Sequence, residues 1–282
     1  MALPVYATTA ERVWHYVFNV FCAGVFVFLI APILVIIPLS FNAEPYFTFT
    51  EGMLRLDPEA YSLRWYRDFV QNPQWLHAVK NSIIIASSAT LLATTLGTIA
   101  ALGLSRAEMP LRKTVMSILI APMIVPIIIA AAAMYFFYSQ LDLAQTYTGI
   151  ILAHTALGTP FVVITVTATL TGFDRSLVRA AQSLGAGPAF TFFRVVLPLI
   201  LPGVISGALF AFITSFDEVV VVLFLAGYDQ RTIPRQMWAG IREQISPTIL
   251  AVATILILIS IALLTAVELL RRRSLRLRGV RE

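Results

Sequence analysis

The stretch YTGIILAHTALGTPFVVITVTATL, Tyr147–Leu170, contains no Asp, Glu, Lys or Arg. It meets the length of roughly 20 apolar residues that a helix needs to cross the hydrocarbon core of a bilayer. Five further segments of the same kind flank it: Trp14–Leu39, Ser82–Leu104, Val115–Tyr138, Val195–Ala226 and Pro247–Leu270, each followed by a polar or charged break. The whole chain of 282 residues is 59% hydrophobic and 12% charged, with a mean hydropathy of +0.84. An average soluble domain carries about 25% charged residues. So little charge cannot cover a water-facing surface, and lipid must cover most of this one. The expectation is an all-α integral membrane fold: one domain over residues 1–282 with six transmembrane helices.

Prolines recur inside these segments, at Pro32, Pro122, Pro126, Pro160, Pro198 and Pro202. They predict kinks, tolerated because neighbouring helices and hydroxyl side chains re-satisfy the freed carbonyls. The apolar stretch from Trp14 to Leu39 exceeds the roughly 7–15 residues of a signal-peptide core, which predicts an uncleaved first span. A single cysteine, Cys22, excludes an intrachain disulfide and a cysteine-rich metal site. The net charge of +5 is no nucleic-acid footprint, because the basic residues sit at segment boundaries.

Those boundaries set the orientation. Thirteen Lys and Arg residues fall on one side: Arg12, Arg106, Arg112, Lys113, Arg175, Arg179, Arg194 and six arginines from Arg271 to Arg281. Seven fall on the other, from Arg55, Arg64, Arg67 and Lys80 to Arg231, Arg235 and Arg242. The positive-inside rule places both termini and the second and fourth loops in the cytoplasm. The C-terminal arginine run reads as an anchor beside anionic lipid. In the long outer loop Ser62 is expected to cap a short helix, and Trp65, Tyr66 and Trp75 suit the membrane interface, as do Tyr135 and Tyr138.

The loop over residues 171–194 contains SLVRAAQSLG, Ser176–Gly185. Ser176 is a plausible N-cap, Leu177, Ala180, Ala181 and Leu184 recur at helical spacing, and Gly185, Gly187 and Pro188 stop the helix. Small residues on its face would let another surface approach the backbone; an amphipathic helix lying on lipid headgroups has the same pattern.

Within the apolar segments Asp217, Glu218 and His154 are the candidate polar groups. At ~1.5 Å per residue from Gly203, Asp217 and Glu218 fall roughly 20 Å along the fifth span. Intramembrane acids normally face a bundle interior or water and would attract a cation such as a polyamine. They would equally pair with an arginine of a partner subunit or cap a broken helix. His154, among Thr155, Thr159, Thr165 and Thr167, suits either a hydrogen bond between helices or a ligand contact.

The run Arg179-Ala180-Ala181-x-x-x-Gly185, nine residues, then Val195-x-Leu197-Pro198 resembles the EAA loop of the inner-membrane permease subunits of bacterial ABC importers. Pro38-Leu39-Ser40-Phe41-Asn42, Trp65-Tyr66, Asn81-Ser82, Gly97-Thr98, Ser215-Phe216-Asp217-Glu218, Thr232-Ile233-Pro234 and Met237-Trp238 are similar to the spermidine/putrescine branch. The resemblance implies a MetI-like bundle in the inner membrane with a cytoplasmic coupling helix that docks into an ATPase. Arg179, Ala180, Ala181, Leu184, Gly185, Leu197 and Pro198 would carry the coupling. Arg179 stands where glutamate is usual, so that glutamate's ionic contact does not carry over, whereas the steric role of the small residues does. The implied partners are a second permease, equal or related, two copies of the ATPase, and a periplasmic solute-binding protein. The chain itself would bind no cofactor or metal and catalyse no reaction. It has no Gly-x-x-x-x-Gly-Lys-Ser/Thr phosphate loop, so ATP and Mg would be used by the partner.

Two other classes share parts of this pattern. An integral-membrane enzyme would need a converging acid, base or metal set, and here the candidates lie on separate spans. A self-contained secondary transporter or channel would often show two similar halves, and residues 1–140 show no likeness to residues 141–282.

Overall fold

The computed structural model describes residues 8–106, 108–243 and 246–277. Regular structure among them is helical, with one isolated bridge between Asn42 and Tyr61. Chain contacts divide it into two compact units, Pro73–Ala239 and a second made of Met1–Asn72 with Gly240–Glu282.

In the second unit α1 (Thr9–Leu39) opens on a complete capping box, with Thr8 and Glu11 satisfying each other's backbone N–H. The loop after it folds back through its own polar groups. Asn42 accepts from the Glu44 amide through Oδ1 and donates through Nδ2 to the carbonyls of Tyr46 and Thr48, at 2.9, 3.1 and 3.1 Å. After α2 (Glu51–Leu54) comes α3 (Arg64–Gln71). Trp65 Nε1 donates to the Asn42 carbonyl at 2.8 Å and Tyr66 OH meets Ser40 Oγ at 2.6 Å. These two aromatics staple the loop to the end of α1. Ser62 accepts from the Arg64 amide, but the N-cap is Leu63, without a side-chain bond.

The first unit is built on α4 (Pro73–Leu104), α7 (Tyr147–Thr171) and α10 (Leu197–Asp217). Glycines let them approach closely. A Cβ on Gly207 would lie 2.5 Å from Thr165 Oγ1 and 2.8 Å from Val162 Cα, and one on Gly97 would lie 2.7 Å from Val162 Cβ. Close approach through small residues is how membrane helices gain van der Waals contact when hydrophobicity no longer separates protein from solvent. Two buried clusters result. One joins Ile85, Ala131, Ile150, Leu157, Val221 and Leu225; the other joins Ala93, Ala101, Val162, Val166, Val196 and Ile200.

Among the described residues four helices are long and apolar enough to cross a membrane: Thr9–Leu39, Pro73–Leu104, Tyr147–Thr171 and Pro188–Asp217. The segment Val115–Tyr138, expected as one kinked span, is two helices, α5 (Arg112–Ile124) and α6 (Ile127–Gln140), at 102° to each other. Pro126 removes a ladder donor and forces Val125 into extended backbone, with ψ 131°. The bend is far sharper than a kink. The last segment is helical over Thr248–Leu277, and its first part, Thr248–Ala262, is apolar. The arginine run from Arg271 to Arg281 lies outside the residues whose side chains are described.

The fifth segment, expected to run to Ala226, also breaks. α10 ends at Asp217, Glu218 is extended, and α11 (Val220–Leu225) restarts the chain. Four consecutive valines, Val219–Val222, keep the segment apolar across the interruption, which falls at Glu218 and Val219. Trp75 is buried within the protein. Tyr135 and Tyr138 are partly buried against the first cluster.

Candidate functional site

The helix anticipated in the fourth loop is α8 (Ser176–Ser183). Its N-terminal partner is Asp174 rather than Ser176: Oδ1 accepts from the Ser176 amide at 2.8 Å and Oδ2 from the Ser176 hydroxyl at 2.7 Å. These bonds hold the Asp174 carboxyl below the usual range, and nearby Arg179 adds in the same direction. At the other end Gly185 sits at φ +84°. Its N–H bonds the Gln182 carbonyl at 2.9 Å, and that of Ala186 bonds the Ala181 carbonyl at 3.1 Å. This pair of bonds is a Schellman cap, whose left-handed residue is normally glycine.

α8 has two faces of opposite fate. Leu177, Arg179 and Ala180 are exposed, Ala181 is half-buried, and Leu184 stands 89% exposed. Val178 turns the other way and packs, with Phe173 and Phe192, against the cluster of Val166, Val196 and Ile200. The apolar pattern therefore marks the outward face, and the inward contact rests on a residue outside it. Sequence reasoning missed Val178, whose lone position in the register carries no distinguishing signal.

After Gly187, α9 (Pro188–Thr191) leads into a widened π turn over Phe192–Val196. The Leu197 amide reaches back to the Phe192 carbonyl, and Pro198 has no N–H to offer to the ladder. Leu197 packs on the same cluster as Val178, and Pro198 is exposed. The two ends of the anticipated motif thus meet one buried cluster.

The three polar groups of the spans are not brought together into one site. His154 is buried, with Nδ1 2.7 Å from Ser215 Oγ, a bond between α7 and α10. Glu218 accepts from the Val221 amide at 2.9 Å, in the manner of a cap on the broken helix. Asp217 is exposed at the C-terminal end of α10. Free carbonyls at such an end carry partial negative charge, and the carboxylate adds to it.

At the far end of the same unit, Asn81 does what its polar type alone did not reveal. Nδ2 donates to the carbonyls of Asp229 and Arg231 at 2.7 and 2.8 Å, and Oδ1 accepts from Tyr147 OH at 2.9 Å. The Ile233 amide donates to Ser82 Oγ at 2.8 Å. Asn81-Ser82 and the segment 229–233, distant in sequence, form one strap across the ends of α4, α7 and the loop following α11.

Long apolar helices with an exposed, capped loop helix seated on their core define a helical integral-membrane protein. Comparison makes the assignment specific: residues 93–276 match the family described as the binding-protein-dependent transport system inner membrane component, and the chain belongs to that family. It is a multi-pass permease subunit of the inner membrane and not an enzyme, which displaces the enzyme and secondary-transporter alternatives. It is 30% identical over 256 residues to the spermidine/putrescine transport system permease protein PotC of Haemophilus influenzae, covering 91% of this chain and 96% of that protein. To the putrescine transport system permease protein PotI of Escherichia coli it is 33% identical over 239 residues, covering 82% of each. In fold it is similar to a chain of a bacterial ABC transporter involved in alginate import, with a TM-score of 0.71 at 14% identity, covering 96% and 99% of the two chains. A second structure of an alginate ABC transporter, in complex with an alginate pentasaccharide-bound periplasmic protein, matches with a TM-score of 0.62 at 17% identity, covering 96% of each chain.

Proposed function

We propose that this chain is one half of the membrane pore of an ATP-driven polyamine importer, and that α8 is the knob by which a separate ATPase moves it. The observation that carries the reading is the two-faced helix: Leu177, Ala180 and Leu184 turned outward, and Val178 seated on the core of α4, α7 and α10. A protein gripping the outer face would displace the buried cluster directly. Ala180, Ala181 and Gly185 keep that face low enough for close contact; Leu197 and Pro198 pass the movement into α10.

In the assembled importer the chain has six spans, with α5–α6 and the helix Thr248–Leu277 completing the four long ones. Its termini and α8 are cytoplasmic, as the thirteen-to-seven basic asymmetry supports. Two ATPase copies, a second related permease and a periplasmic binding protein complete it. Closure of the ATPases on ATP and Mg pulls α8, the bundle opens outward to receive cargo, and hydrolysis resets it.

For the cargo, the relatives named for spermidine and putrescine favour an organic polycation. Asp217 fits that chemistry best, because its exposed carboxylate and the carbonyl end of a broken helix offer negative charge to a cation. Glu218 and His154 shape the path from behind, one by capping α11 and the other by joining α7 to α10.

Leu184→Asp tests the docking. Its side chain is almost wholly exposed, so the variant should insert normally, lose co-purification with the ATPase and lose ATP-driven uptake of labelled putrescine in proteoliposomes. Retained association and uptake would remove the docking assignment. Gly185→Asp is a poorer probe, because at φ +84° it also strains the cap.

A further inference from the structure

Beside α8 lies a cavity of about 580 Å³ whose basic lining the coupling role does not explain. Three guanidinium groups line it, those of Arg106, Arg175 and Arg179, over a floor that includes Leu102, Phe173 and Phe192. Its lining contains no Asp or Glu, and none of the three arginines forms an ion pair among the described residues. Arg175 donates to the Ser105 carbonyl at the end of α4, which fixes one guanidinium at the rim. The cavity opens where α4 and α7 end, at Leu104 and Thr171.

We infer that this cavity binds the phosphate headgroup of an anionic glycerophospholipid of the inner leaflet, with the start of an acyl chain on the phenylalanine floor. The placement in the inner leaflet rests on the orientation proposed above. Charge complementarity selects the headgroup: three positive groups on a lining that holds no carboxylate, with the exposed Asp174 acting on Arg179 from outside it, suit a phosphodiester, and guanidinium is the side chain best shaped for it. The floor selects lipid over a soluble anion. Leucine and two phenylalanines offer nothing to inorganic phosphate, whereas a chain leaving the bilayer edge at a helix end would cover them. Basic pockets between spanning helices on the cytoplasmic side take anionic headgroups in this way. The volume lies within the range of sites that enclose a small ligand. Phe173, Phe192 and Val178 also pack on the buried cluster, so a lipid seated here would brace the inner side of α8.

The test is native mass spectrometry of the full chain, purified in detergent, with phosphatidylglycerol, phosphatidylcholine or inorganic phosphate added. The wild type should retain phosphatidylglycerol and release phosphatidylcholine. Arg106→Gln with Arg179→Gln, both at exposed positions, should lower retention at least tenfold, at roughly fivefold for each arginine removed. The corresponding lysine pair should retain most of it, and Lys80→Gln should change nothing. Equal retention of phosphatidylcholine, displacement by millimolar inorganic phosphate, or undiminished retention in the double glutamine variant would each overturn the site. No ATPase is present in the measurement, and Leu184→Asp should leave lipid retention intact. Failure of lipid binding and failure of ATPase docking are therefore read separately.

Discussion

α1 and α7 are both apolar enough to cross a bilayer, yet they are built for opposite surroundings. The most apolar stretch of α1 has a mean hydropathy of 3.0 and none of it is buried, whereas that of α7 has 1.8 and is 61% buried. α1 is lined with Phe, Val, Leu and Ile; α7 alternates Gly, Ala, Thr and Pro with its valines. The difference teaches that inside a membrane hydropathy measures lipid contact, and protein contact is written in small and hydroxyl-bearing residues. The less hydrophobic helix is the one packed at the core of its own unit.

The sharpest way to break the comparison is to add the same side chain to a glycine in each kind of helix. Gly207→Val in α10 puts atoms onto Val162 Cα, which is backbone and cannot step aside. Overpacking of this sort costs ~1–3 kcal/mol or more. The variant should lose thermal stability in detergent and accumulate poorly in membranes. Gly24→Val in α1 meets nothing within 4 Å and should melt like the wild type. Equal behaviour of the two variants would mean that the α7–α10 contact is looser than its geometry implies.

His154→Ala comes next. It removes the bond to Ser215 and leaves a small void, and hydrogen bonds between membrane helices average about 0.6 kcal/mol with a ceiling near 1.7. A moderate loss of stability is expected, and Ser215→Ala should add little more in the double variant, because each removes the same bond. Additive losses would show that the two side chains act independently.

Val178→Ala sharpens the contrast at the loop. The residue is half-buried against the core and contributes nothing to the outward face. It should keep ATPase association, lose under 1.5 kcal/mol of stability, as expected for removal of two partly buried methyl groups, and lower uptake per ATP hydrolysed. Measuring uptake and hydrolysis together in proteoliposomes checks it. An unchanged ratio would show that the inward contact does not transmit movement.

Much of this architecture was legible in the amino-acid sequence, for stated physical reasons. Long charge-free runs give spans, because lipid tolerates little else, and Gly185 gives the end of α8, because few other residues adopt its φ. The breaks were not legible. Pro122 and Pro126 announce a disturbance without its direction, so nothing in the residues tells a kink from a bend of 102°. Val219–Val222 keep hydropathy high across the interruption at Glu218 and Val219. Of the site, the outward residues of α8 followed from spacing. Val178 and the strap built on Asn81 depend on contacts between segments far apart in the chain, where a residue's type says that it needs a partner but not which one.

The smallest expected effect concerns the start of α8, where an exposed carboxylate does locally what burial does for α7. Asp174 accepts from the Ser176 amide and hydroxyl, and these bonds depress its pKa. The sign follows from the group. A carboxyl whose folded pKa lies below its ordinary value of about 3.9 lends support that is fully present above that value and fades as pH falls through the lowered one. Amide exchange at Ser176 should therefore show unchanged opening from neutral pH down to the ordinary carboxylate range, and more opening only below it. Asp174→Asn keeps an acceptor at the cap and should remain protected at pH 7, whereas Asp174→Ala should exchange faster there without altering the melting of α7. If alanine and asparagine exchanged alike, the loop helix would be held by Val178 and the Schellman cap alone, and its independence from the core would be less than its exposure suggests.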